Sequence, residues 1–127
     1  MTLKPGAVAL VAEDEPLVRM EAADVFGDAG FDVLEASTTP AALAYLEMHP
    51  EITLLFTDVV MPGPIDGLAL AHEVGRRWPG VKIIIASGRI TPDPAQLPDG
   101  ARFLEKPYSA NGLARVVREL GLRLATE

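Results

Sequence analysis

Residues 54–63 read LLFTDVVMPG, a short run without polar alternation, then an aspartate, then a Met-Pro-Gly loop. A strand that alternates apolar and polar residues shows one face to water, whereas an unbroken apolar strand is covered on both. The runs AVALVA at 7–12 and VKIIIA at 81–86 have the same character, and each leads into polar or acidic residues. Stretches with helical spacing follow most of them. Strand, loop and helix thus recur along the chain, which is the pattern of a doubly wound α/β domain with a parallel sheet covered by helices on both faces.

The spacing predicts a first helix that opens at Asp14-Glu15-Pro16, with an acidic cap before proline, and closes at Gly30; Val18, Ala22, Val25, Phe26 and Ala29 share its inner face. A short strand is expected over 31–36 and a helix over 39–48, stopped by His49-Pro50. Beyond the Pro/Gly loop a helix is expected over 67–78 with Leu70, Ala71, Val74 and Trp78 inward. A short strand over 102–104 precedes a last helix over 109–122, built on Leu113, Val116, Val117 and Leu120. Segment 89–100 breaks the pattern, because Pro92, Pro94 and Pro98 cannot share one helix. A loop or a single turn is expected where a fourth helix would belong.

At 127 residues the chain is shorter than the roughly 150 that serve as a prior for one domain, so a single unit over 1–127 is expected, with its core at about 7–122. With 49% hydrophobic and 23% charged residues it can bury a core, which sets aside the disordered class. Eighteen acidic against eleven basic residues leave a net charge of -7, which repels phosphate backbones and argues against direct DNA binding. The absence of cysteine removes disulfides, thiolate zinc sites and cysteine nucleophiles together. No apolar run approaches the roughly 20 residues of a membrane span, and the N-terminus turns acidic too early for a signal peptide. A cytoplasmic protein without a membrane partner is expected.

In open parallel sheets the ligand site lies beyond the carboxyl ends of the strands. There the sequence places Glu13-Asp14 after the first strand, Asp58 after the third, Ser87 after the fourth, and Lys106-Pro107 after the short run 102–104. Carboxylates this close repel one another unless a cation sits among them. With no cysteine and no clustered histidine, Mg²⁺ fits, and Mn²⁺ is possible. A phosphoryl group on Asp58 would then offer oxygens to the metal on one side and to Lys106 and Ser87 on the other.

The ordered set AEDE (12–15), TDVVMPG (57–63), DG (66–67), ASG (86–88) and EKPY (105–108) resembles the receiver domain of two-component response regulators, over about residues 7–120. The resemblance implies a flavodoxin-like five-stranded sheet of order 2-1-3-4-5. It implies that Asp58 is the phosphoacceptor, that Asp14, Asp58 and the Val60 backbone carbonyl bind Mg²⁺, and that Glu13 acts through a metal-bound water. Ser87 and Lys106 would hold phosphoryl oxygens, with Lys106-Pro107 a cis peptide. Ser87 and Phe103 would carry the switch. Phe103 lacks a hydroxyl, so its part would be a packing change. Val60 and Arg89 would flank the phosphoryl group and set its lifetime, here minutes or longer. The partner would be a histidine kinase or a histidine phosphotransfer protein, docking around Pro16, Leu17 and Pro107-Tyr108. The chain would act as a signalling module and not as an enzyme, losing its phosphoryl group slowly and either signalling through its own surface or passing the group on in a phosphorelay.

Two departures stand out. The loop before Asp66 is one residue longer than usual, and the proline-rich 89–100 removes most of the fourth helix. A family dimer mode that uses this helix is therefore in doubt, and a monomer or weak dimer is expected. Plainer readings coexist: Asp14 as a helix cap, Asp58 as a turn former, Ser87 as a satisfied strand serine, Phe103 as core, and the whole domain as an unphosphorylated scaffold or interaction module. A dehalogenase-type phosphatase would need an aspartate where Val60 stands. A flavin site would need a hydroxyl-rich loop where Glu13-Asp14-Glu15 stands.

Overall fold

The structure, a computed structural model, describes residues 7–121. Its strands are β1 (Val8–Ala12), β2 (Asp32–Ala36), β3 (Ile52–Asp58), β4 (Lys82–Ser87) and β5 (Arg102–Glu105). The helices are α1 (Pro16–Asp28), α2 (Thr39–Met48), α3 (Gly67–Arg77) and α4 (Ala110–Glu119). All strand pairs are parallel and the sheet order is β2-β1-β3-β4-β5, as the resemblance implied.

Successive side chains of a strand point to opposite faces, and the core divides accordingly. Leu10, Leu55, Ile83 and Ile85 meet Leu46, Leu70 and Val74 of α2 and α3. Val11, Phe56 and Ile84 meet Ala22, Phe26, Leu113 and Val117 of α1 and α4. The unbroken apolar runs are thus the central strands, while β2 and β5 are edges with partly exposed residues. Phe26 joins Phe31 and Phe56 edge-on, with centroids 5.7 and 5.6 Å apart.

Three helices begin on a side-chain cap: the Thr38 hydroxyl accepts from Ala41 N (3.2 Å), the Asp66 carboxylate from Ala69 N (2.8 Å) and the Ser109 hydroxyl from Gly112 N (2.9 Å). The exception is α1, whose cap position is Glu15 and carries no side-chain bond. The capping reading of Asp14 is thereby corrected: Asp14 stands outside the helix. The predicted end of the last helix at residue 122 lies outside the described residues; among these, α4 ends at Glu119.

Between β4 and β5 the chain forms only a single 3-10 turn, Pro94–Gln96. It is self-closed by Asp93 N donating to Gln96 Oε1 (2.8 Å) and fastened to α3 by His72 Nε2, which donates to the Gln96 carbonyl (2.5 Å). Leu97 packs on the α2/α3 side of the core. The longer loop before Asp66 is also tied down, with the buried Thr39 hydroxyl donating to the Ile65 carbonyl (3.1 Å).

The Asp66-Gly67 pair has a steric reason. A Cβ on Gly67 would lie 1.5 Å from the Asp58 carbonyl oxygen, while Gly67 N donates to the Val59 carbonyl at 2.9 Å. The start of α3 therefore touches the backbone that carries Asp58. Gly67→Ala is expected to cost about 1–3 kcal/mol of stability. Gly75→Ala, whose Cβ would meet Pro98 at an ordinary 3.5 Å, should instead gain up to about 1 kcal/mol. Urea denaturation of the two variants against the parent protein checks both signs.

Candidate functional site

The parallel ladder continues one residue past the strands. Glu13 N donates to the Ala36 carbonyl, Val59 N to Ala86 and Lys106 N to Ser87, each at 3.0 Å. Ala12 is paired with Thr57, Asp58 with Ala86 and Ser87 with Glu105. This register sets Glu13, Asp58, Ser87 and Lys106 side by side on one edge of the sheet, where the sequence reading put them.

Lys106 occupies the centre. Its Nζ lies 2.6 Å from Glu13 Oε1 and 3.2 Å from Asp58 Oδ2. Glu13 is completely buried, and its second oxygen accepts from Glu15 N at 3.1 Å. Burial pushes the Glu13 carboxyl above its usual range, against the Lys106 and Glu15 hydrogen bonds. For Lys106 burial works against the charge, but the bonds and fields of Glu13 and Asp58 outweigh it and raise its pKa. Oxygens of Glu13, Asp14 and Asp58 lie within 4.8 Å of one another. Asp14 is at the exposed rim, whereas the Asp58 side chain is only 13% exposed.

Above these acids opens a cavity of about 380 Å³ lined by Asp14, Asp58, Val60, Ser87, Arg89 and Lys106, among others. The donor set is of hard oxygens, without the histidines: His49 Nδ1 is 2.8 Å from Glu51 Oε1 and His72 holds Gln96. Such a set fits a small divalent cation such as Mg²⁺, held by Asp14 and Asp58 with room for solvent and an anionic group. Ser87 is buried and its Oγ accepts from Ile90 N at 3.2 Å.

The remaining expectations divide. Val60 is 42% exposed, and Arg89 is exposed at the mouth. Phe103 is only half-buried, not full core, because β5 is an edge strand; its ring packs on the α2/α3 side, away from the cavity lining. Leu17 is 72% exposed on α1. Tyr108 leans edge-on against Phe56 at 5.8 Å, and its phenol is pushed up to about 12 by burial, with Glu13, Glu21 and Asp58 adding to it. Lys106-Pro107 is cis. Glu119 of α4 pairs with Arg102 of β5. Sequence reasoning missed Arg19, whose guanidinium reaches the Glu13 carbonyl (3.0 Å) and Glu35 (3.3 Å). The one available signal was a cation in the first turn of a helix, where the macrodipole disfavours it.

The family model of the response regulator receiver domain matches residues 9–118. The chain belongs to that family. Its receiver sequence is 36% identical over 122 residues to the sensor kinase CckA of Brucella abortus, covering 93% of this chain and 13% of that protein. It is 32% identical to the transcriptional regulatory protein PdtaR of Mycobacterium tuberculosis, covering 82% of this chain and 51% of that protein. The chain thus spans about half of one of these curated relatives and a much smaller part of the other. Among solved structures, a response regulator receiver protein from Sinorhizobium medicae superposes with a TM-score of 0.81 at 28% identity, covering 90% of this chain and 93% of that one. The receiver domain of the hybrid histidine kinase CckA gives 0.74 at 34% identity, covering 89% and 97%.

In this receiver, removing one partner of the central ion pair leaves a buried charge uncompensated. Lys106→Met is expected to destabilise the metal-free protein by about 2–3 kcal/mol, discounted from the cost of a fully buried pair because Lys106 is partly exposed. Adding Glu13→Gln should recover most of the loss. A double-mutant cycle by urea denaturation checks both.

Proposed function

We propose that this receiver accepts a phosphoryl group onto Asp58 in a reaction that depends on Mg²⁺. The observation that carries the proposal is the lysine ammonium 3.2 Å from Asp58 Oδ2, beside carboxylate oxygens within 4.8 Å and beneath an open cavity. An ordinary surface carboxylate has neither a fixed cation nor a shaped approach. The family and the sensor-kinase relative support a phosphohistidine donor, on a histidine kinase or a histidine phosphotransfer protein.

In this reading an Asp58 oxygen attacks phosphorus in line. The P–O bond to Asp58 forms as the P–N bond of phosphohistidine breaks, and the imidazole leaves with the electron pair and takes up a proton. Lys106, already turned to Asp58, stabilises charge on the transferred oxygens, and Ser87 donates its hydroxyl proton to one of them. Asp14, Asp58 and the Val60 carbonyl would hold Mg²⁺, with Glu13 contributing through Lys106 and through metal-bound water; when bound, the ion neutralises the carboxylates and draws the phosphoryl oxygens into place. Such a domain acts as a signalling module, changing its own surface or handing the group on in a phosphorelay. Among the described residues no helix is long and apolar enough to cross a membrane.

Incubation with Mg²⁺ and acetyl phosphate, followed by intact mass measurement, should show the gain of one phosphoryl group. The gain should vanish in Asp58→Asn and on chelation of the metal; no gain from acetyl phosphate or from a phosphohistidine donor would defeat the proposal.

Arg89 and Val60 bear on persistence. Val60 offers no side-chain hydrogen bond to an attacking water, and Arg89 is long enough to reach a phosphoryl oxygen across the cavity mouth. The phosphoryl group is expected to last minutes or longer after the donor is removed, and Arg89→Ala to shorten that time several-fold. Timed mass measurements give the decay, and complete loss within seconds in the parent protein would contradict it.

A further inference from the structure

We infer that Arg19 is the positioning residue of the acidic loop, holding Glu13 and Asp14 in the geometry that takes the metal ion; the inference rests on the metal-dependent reading above. Three observations carry it. First, α1 alone among the four described helices begins without a bond from its cap residue's side chain, and the amide of that residue, Glu15, goes to Glu13 Oε2 at 3.1 Å, so the loop's shape rests on how Glu13 is held. Second, the Arg19 guanidinium holds the loop at a different group, with Nη1 donating to the Glu13 carbonyl at 3.0 Å while Nε meets Glu35 Oε1 at 3.3 Å. Third, Arg19 sits in the first turn of α1, its own amide bonded to the Glu15 carbonyl at 2.9 Å. A cation there is opposed by the helix macrodipole, so its place in the helix does not account for it.

The planar fork makes the argument specific. Glu35 lies on β2 beside Ala36, whose carbonyl receives Glu13 N at 3.0 Å. Glu13 is therefore gripped at its amide by β2 and at its carbonyl by an arginine that is itself oriented by β2. The Arg19–Glu35 pair has a half-exposed carboxylate and adds little energy alone; what it supplies is direction for the guanidinium. With Glu13 held at both backbone groups, Asp14 leaves the strand from a fixed point, and its carboxylate lies within 4.8 Å of those of Glu13 and Asp58. Lysine keeps the charge but places its donors on one rotatable nitrogen, and so lacks the planar arrangement by which Nη1 and Nε reach these two acceptors separately.

The sign of the effect separates positioning from simple charge. Arg19 is a positive group near a site for a divalent cation, so by Coulomb's law alone its removal would tighten Mg²⁺ binding. Positioning requires the reverse. By calorimetry on the unphosphorylated full chain, Arg19→Met, which keeps much of the aliphatic stem, is expected to weaken Mg²⁺ binding about tenfold. Arg19→Lys, which keeps the charge, should fall between it and the parent. Unchanged or tighter binding in Arg19→Met would overturn the inference. Should Arg19→Met fail to fold in urea and circular dichroism controls, parent-like affinity in Arg19→Lys would overturn it instead. Mg²⁺ binding by the parent, abolished in Asp14→Asn, tests the underlying reading separately: if the parent itself binds no Mg²⁺, that reading fails and not the assignment to Arg19 alone.

Discussion

The ammonium of Lys106 between Glu13 and Asp58 is the interaction on which the rest of this receiver depends. A carboxylate as enclosed as Glu13 is costly to keep charged, and its raised pKa expresses that cost. Lys106 offsets it from 93 residues away in sequence, and so fastens the end of β5 to the end of β1. That matters because β5 is a four-residue edge strand with no fully buried residue. The same contact aims the lysine at Asp58. Stability of the sheet edge and readiness of the site are thus one piece of electrostatics.

The opposite end of the pocket follows from α1. The other helices settle their first amides with their own Thr, Asp or Ser caps. In α1 the amide of Glu15 is taken instead by Glu13, a side chain of the site. The loop therefore takes its shape from that short-range bond together with Lys106, Ala36 and Arg19, which hold Glu13 itself. A missing cap at the helix that leads out of the candidate site is the kind of local inconsistency expected where residues serve a function.

Much of this was legible in the sequence, and for physical reasons. Unbroken apolar runs revealed the covered strands, because a two-sided burial admits no polar alternation; α2 was placed over the same residues, 39–48, since its start and its His49-Pro50 stop are both chemical signals. The proline-rich segment correctly excluded a helix, as proline removes the donor a helix needs. The convergence of Glu13, Asp14, Asp58, Ser87 and Lys106 followed from strand ends in a parallel sheet. The missing parts were contacts that periodicity does not encode. Nothing in the order of residues says that Glu13 lies beneath Lys106 instead of facing the cavity, that Phe103 is left half-covered by its edge strand, or that Arg19 turns back on the strand before it. The need for Gly67 was equally hidden, because it is the approach of two backbones that forbids a Cβ there.

The link between the pocket and segment 89–100 depends on what a hydroxyl can do. Ser87 Oγ accepts from Ile90 N and so uses a lone pair, which leaves its proton free for an acceptor in the cavity. Donation to an anion on Asp58 would not compete with the bond to Ile90; it would move the oxygen that Ile90 is tied to. The pull would enter a segment that holds only a single 3-10 turn, fastened to α3 through His72 and Gln96. With a phenylalanine at 103, no second hydroxyl on β5 can share that task. Under the proposed phosphorylation, a pull on Ser87 would be felt first at the backbone of Ile90, in the segment that the His72–Gln96 hydrogen bond ties to α3.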